Sequence, residues 1–118
     1  MNLANRYFEL VENPGGHAGA KTVMKFSEHV EPLLGTYIGP NTIHGQVLVK
    51  TSSSGSTEML YQSLTSDGEL VAGRAEVSLI EKETTPATMK LNWQWLTGSP
   101  TSGISIWREI AGEDDLTG

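Results

Sequence analysis

Thr57-Glu58-Met59-Leu60-Tyr61-Gln62-Ser63-Leu64-Thr65-Ser66-Asp67-Gly68-Glu69-Leu70-Val71-Ala72-Gly73-Arg74-Ala75-Glu76-Val77 is the stretch whose reading decides the fold. Two runs of mixed apolar and polar residues flank Asp67-Gly68, and apolar residues rarely recur at three-four spacing, so the runs read as strands rather than amphipathic helices. Asp-Gly suits a two-residue type I′ hairpin, because both central positions need φ > 0 and these residues tolerate it. With Ser66 facing Glu69, counting outward predicts Leu64 opposite Val71, Gln62 opposite Gly73, Leu60 opposite Ala75 and Glu58 opposite Val77 on an apolar face. The reverse, mixed face would carry Ser63 with Ala72, Tyr61 with Arg74 and Met59 with Glu76.

The same pattern extends both ways. Serines and threonines number 23, a strand-forming bias. Turn signals recur at Asn13-Pro14-Gly15-Gly16, Glu31-Pro32, Gly39-Pro40-Asn41, Ser52 to Gly55, Asp67-Gly68, Thr84-Thr85-Pro86 and Gly98-Ser99-Pro100, a spacing typical of sandwiches and barrels. Eight strands are predicted, at approximately 5–13, 19–29, 33–39, 42–51, 57–66, 69–82, 88–97 and 103–111. Short turns favour sequential antiparallel neighbours, and closing the meander removes both exposed edges. The expected fold is an all-β, eight-stranded up-and-down antiparallel barrel; a two-sheet sandwich needs longer crossovers and ranks second.

Composition bounds the function. The 118 residues read as a single barrel domain with an acidic, frayed tail at 112–118, and a net charge of −6 opposes nucleic acid and anionic membrane partners. Without cysteine there is no disulfide or thiolate chemistry, and His17, His29 and His44 are too scattered for a metal cage, so no metal and no cofactor are expected. No apolar run spans a bilayer and the first residues are no signal peptide, so the expected location is the cytoplasm. No nucleophile elbow, Ser-His-Asp arrangement or phosphate loop is present, which makes an enzyme less favoured than a binding protein.

Two more hairpins place candidate residues. A turn at Pro40-Asn41 sets Ile38 opposite Ile43 and Tyr37 opposite His44. A four-residue loop from Gly98 to Thr101 sets Trp95 against Ile104 and Trp93 against Ile106, with Ser105, Trp107 and Glu109 on the reverse face. Trp93 and Trp95 would stack on a ligand or fill core, and Trp107 would line a partly polar cavity. Tyr61 with Arg74 offers a phenol and a guanidinium fork for a carboxylate or carbonyl. His44 is a candidate base beside Tyr37, and Glu58 would be a desolvated acid if the apolar face points inward. The expected interior joins apolar walls to a polar cluster drawn from Tyr37, His44, Tyr61, Arg74 and Glu109, with Glu109 or Glu76 as counter-charge to Arg74. The Ser52 to Ser56 stretch reads as a flexible loop, or else a barrel lid.

The residues Met59-Leu60-Tyr61-Gln62, Asp67-Gly68-Glu69-Leu70, Gly73-Arg74, Trp93-Gln94-Trp95-Leu96-Thr97-Gly98 and Ser102-Gly103, with Gly35-Thr36-Tyr37 and Gly45 upstream, resemble a family of small bacterial proteins often labelled "n-acetylglutamate synthase". The likeness covers most of residues 5 to 110. The acetyltransferase activity in that label needs a long α/β chain with an acyl-CoA pyrophosphate loop, which this sequence lacks. The resemblance implies a calycin-type barrel, similar to lipocalins and avidins, a class that holds small molecules. Leu91 to Thr97 and Ile104 to Trp107 resemble the last two strands of avidins, whereas Asn5-Arg6-Tyr7-Phe8 stands where a lipocalin would carry Gly-x-Trp.

The leading expectation is a small-molecule-binding barrel with a hydrophobic or amphipathic ligand at its mouth, contacted by Tyr37, His44, Tyr61, Arg74, Trp93, Trp95, Trp107 and Glu109. Two alternatives are a barrel enzyme of isomerase, cyclase or hydratase type and a solid-core structural barrel. A homo-oligomer, most simply a dimer, is expected because Leu33, Leu34, Ile38, Ile43 and Leu48 exceed what one small barrel can bury.

Overall fold

Alternating burial along the longer strands, such as buried Thr57, Met59, Ser63 and Thr65 interleaved with exposed Leu60 and Gln62, follows from the pleat, which sends successive side chains to opposite faces. The computed structural model describes residues 3–14, 18–28, 32–98 and 101–111. The strands are β1 (Tyr7–Glu12), β2 (Val23–Phe26), β3 (Leu33–Gly39), β4 (Thr42–Thr51), β5 (Thr57–Thr65), β6 (Leu70–Ile80), β7 (Thr88–Trp95) and β8 (Ser102–Ile110). Each pairs antiparallel with the next, and β1 pairs with β8 to close an all-β barrel. Among the described residues there is no helix. The expected barrel is therefore the observed one; the tail at 112–118, His17 and His29 lie outside the described residues.

The registers correct three expectations. At the β5–β6 hairpin the loop is three residues, not two: Thr65 N–H donates to Glu69 O at 2.9 Å, Gly68 N–H to Thr65 O at 2.9 Å, and Glu69 N–H to Thr65 Oγ1 at 3.1 Å. Within this loop the left-handed φ, 85°, falls on Gly68 alone, as in a type I turn followed by a glycine bulge. Each partner slips by one, giving Tyr61 opposite Gly73, Met59 opposite Ala75, and Leu60 opposite Arg74. Because the side-chain period is two, that slip turns Arg74, Glu58, Leu60 and Leu64 outward and leaves Tyr61 facing in.

At the β3–β4 hairpin the Pro40-Asn41 turn holds, with Gly39 opposite Thr42 and Asn41 at φ 69°. An extra residue in β4 between Thr42 and His44 then shifts its pairing to both β3 and β5. This bulge sets Tyr37 opposite Gly45 rather than His44, and His44 is exposed. In the last hairpin Trp95 N–H donates to Thr101 O at 3.0 Å, so β8 joins β7 three residues off the expected register. Trp93 faces Gly103, Leu91 faces Ser105 and Met89 faces Trp107. The odd shift brings Trp107 and Ser105 onto the inner side with Trp93, and puts Ile104 outside, 44% exposed.

The two ends of the barrel differ. At the lower end, where β1 begins, Leu3, Phe8, Phe26, Leu33, Val49, Val77 and Met89 form one buried cluster, with Phe8 and Phe26 edge to face at 6.1 Å. Arg6 seals it: Nε and Nη2 donate to the two Glu109 carboxylate oxygens at 2.8 Å each, and Nη2 also reaches Glu81 at 2.8 Å. The Ser52–Ser56 loop joins β4 to β5 at this closed end, and it therefore cannot serve as a lid over the upper mouth.

Candidate functional site

The upper half of the lumen is built from the inward positions of β3, β5, β7 and β8. Tyr37, Tyr61, Ser63, Trp93, Trp95, Ser105 and Trp107 line a cavity of about 50 Å³, with Met24, Met59 and Leu91 as its floor and Asn13, Ala18 and Thr42 toward the rim. That volume holds roughly three or four water-sized groups. All three tryptophans of the chain lie on it. Trp95 meets the Tyr61 ring at 5.7 Å and 69°, and the Trp93 ring at 5.7 Å and 55°, the tilted contacts favoured by ring quadrupoles.

The polar chemistry of the cavity is neutral. Among the described residues that line it, none is an acid, a base or a histidine. Burial pushes the Tyr37 phenol above its ordinary pKa, partly offset by a hydrogen bond with the Ser63 hydroxyl. Burial likewise raises the Tyr61 phenol, with the neighbouring Tyr37 adding to the effect. Both phenols are therefore protonated at neutral pH. The Trp107 Nε1–H donates to Ser105 Oγ at 2.9 Å. Asn13 Nδ2 donates to the Ala18 carbonyl at 3.2 Å, while Asn13 Oδ1 is buried and finds no donor among the described residues. Trp93, 5% exposed, holds a buried Nε1–H that finds no acceptor there. Such an orphan donor costs about 1–3 kcal/mol, which an acceptor brought to it offsets.

Of the residues singled out from the sequence, Tyr37, Tyr61, Trp93, Trp95 and Trp107 come together on this cavity. His44 and Arg74 do not: both lie on the outer wall, and Arg74 pairs with Glu58 at 3.4 Å instead of Glu76 or Glu109. Glu109 sits at the closed end, bound to Arg6. The condition on which Glu58 would be desolvated, an inward-pointing apolar face, is not met: Glu58 faces outward and pairs with Arg74. The interior polar cluster is thus two phenols, hydroxyls, an amide and indole N–H groups, without the expected histidine, arginine and glutamate. Ser63 shares the parity of Tyr61 and was legible from period two alone. Asn13 was not, since it enters from the segment after β1. Among the described residues no group of three histidine or acidic side chains could hold a metal ion.

Residues 1–110 match the family described as avidin-like protein. No curated protein and no solved structure matches the chain. The match spans all eight strands of the closed barrel. By sequence and by its calycin-type architecture, this chain belongs to the avidin-like protein family.

Proposed function

We propose that the protein binds a small, neutral molecule in the upper half of the barrel. The observation that carries this reading is the buried Trp93 Nε1–H, which finds no acceptor among the described residues and is set in an aromatic cavity whose described lining carries no charged side chain. A ligand with a compact apolar body would displace weakly held water and stack on the rings, and a carbonyl-type oxygen would accept from Trp93. An anionic ligand head is disfavoured, because Arg74 is outside and burying an unpaired carboxylate is costly.

The test uses two probes of one shape. Titrating 15N-labelled protein with cyclopentanone should shift the Trp93 indole N–H downfield, whereas cyclopentane, which lacks the acceptor, should shift only signals of ring neighbours. Trp93→Phe should weaken cyclopentanone binding and leave cyclopentane unaffected. If neither probe moves any of the three indole signals, the cavity is not a binding site.

Self-association belongs to the same proposal. Leu34, Leu48 and Leu60 form a row across β3, β4 and β5 on the outer wall, all about half exposed. They border a groove of about 590 Å³ that also includes Gln46, Gln62 and Leu96. Leu33, expected with them, is buried. Lys50 and Glu58, then Arg74 and Glu76, rim this face with both signs of charge, which suits a second copy of an otherwise acidic chain better than a charged partner.

A further inference from the structure

We propose that Gly45, Gly73 and Gly103 are the residues that hold the upper barrel open, so that three glycines set the size of the ligand the cavity accepts. This inference rests on the binding reading above and deepens it. Each of the hairpins β3–β4, β5–β6 and β7–β8 repeats one device: an aromatic residue on the first strand lies directly across from a glycine on the second. The pairs are Tyr37 with Gly45, Tyr61 with Gly73 and Trp93 with Gly103. In each pair the ring occupies the space that a Cβ on the glycine would take, so a methyl group there would overlap the ring.

The glycines are not required by the backbone. Among the described glycines positive φ is confined to Gly55, Gly68 and Gly98, so residues 45, 73 and 103 have conformations open to any L-residue. What they supply is absence of a side chain. Each ring can then lie flat along the wall, covering its glycine, instead of crossing the lumen. Below this level the inward positions of β4 and β6 carry Val47, Val49, Ala75 and Val77, all in the buried core cluster, whereas on β8 Ser105 and Trp107 still line the cavity. On β4 and β6 the change from filled core to cavity therefore coincides with the glycines. Adding a Cβ would drive the ring off the wall and into the lumen until the pair regained an ordinary separation of 3.4 Å or more. In a cavity of about 50 Å³, ring movement of that kind consumes the free space.

Xenon, which reports an apolar cavity without asking for any hydrogen bond, separates this inference from the one it rests on. The 129Xe resonance should shift on binding to the wild-type protein; absence of a shift would overturn the binding reading and this proposal together. With wild type binding, Gly73→Ala should lose the shift while its far-ultraviolet circular dichroism stays β. The double variant Tyr61→Leu/Gly73→Ala, which removes the displaced ring, should regain it. Retention of xenon binding by Gly73→Ala would overturn the role of the glycine. Should Gly73→Ala fail to fold, a folded, xenon-binding double variant supports the proposal, and a double variant that also fails to fold refutes it by showing that the glycine serves the backbone.

Discussion

Replacing Arg6 by methionine should cost about 2 kcal/mol of folding stability. The figure follows from the geometry at the closed end. Arg6 makes two parallel charge-assisted hydrogen bonds to Glu109 at 2.8 Å, with side-chain exposures of 19% and 28%, and a third contact to Glu81, which is 63% exposed. The Glu81 contact counts for little, because water screens it. The Glu109 pair is shielded enough to be worth more, yet open enough for the abandoned carboxylate to rehydrate in part. Hydrogen bonding to Glu109 is the main reason the Arg6 guanidinium holds its proton more tightly than an ordinary arginine, so the pair does not switch off at any pH near neutrality. Methionine keeps an apolar stem against the Phe8 ring, which the guanidinium approaches at 5.8 Å, and so isolates the polar loss. Arg74→Met is the control: its contact with Glu58 is 3.4 Å long between side chains 50% and 39% exposed, and its loss should fall within about 0.5 kcal/mol. Urea unfolding followed by tryptophan emission gives both values, and the melting temperature should drop by roughly 6–10 °C for Arg6→Met alone. If the two substitutions cost the same, the Arg6–Glu109 bridge does not hold β1 to β8.

The raised Tyr37 and Tyr61 phenols contribute stability that is full below the unfolded tyrosine value of about 10 and is lost as pH climbs toward the higher folded values; absorbance at 295 nm should show those two phenols ionising only with alkaline unfolding, and free ionisation near 10 would refute their burial. Gly68→Ala, at φ 85° with open space around it, should cost about 1 kcal/mol, and Gly68→Asn clearly less, in thermal melts; equal losses would argue against the left-handed loop position. Leu60→Glu on the outer wall should leave the circular dichroism intact and yield a monomer in sedimentation velocity if that face joins two copies, whereas an unchanged sedimentation coefficient would remove it as the interface.

Sequence alone determined which segments are strands, that they close sequentially, and which aromatic residues are available, because period-two alternation and turn residues are local properties of the chain. Five of the eight residues singled out for the site meet on the cavity. What only the tertiary structure decided is which side of the wall each residue takes. The three-residue loop at Ser66–Gly68, the bulge in β4 before His44 and the Trp93–Gly103 register of β7 with β8 each shift pairing by an odd number of residues. An odd shift reverses every side chain along a strand, which is why Arg74 and His44 left the lumen while Trp107 and Ser105 joined Trp93 inside it. The three-residue loop at Asp67-Gly68 sets Tyr61 opposite Gly73, and that register must fit the pairing of β5 with β4 and of β6 with β7. That is a property of the closed barrel, in which all eight registers must agree at once, and no single hairpin carries it.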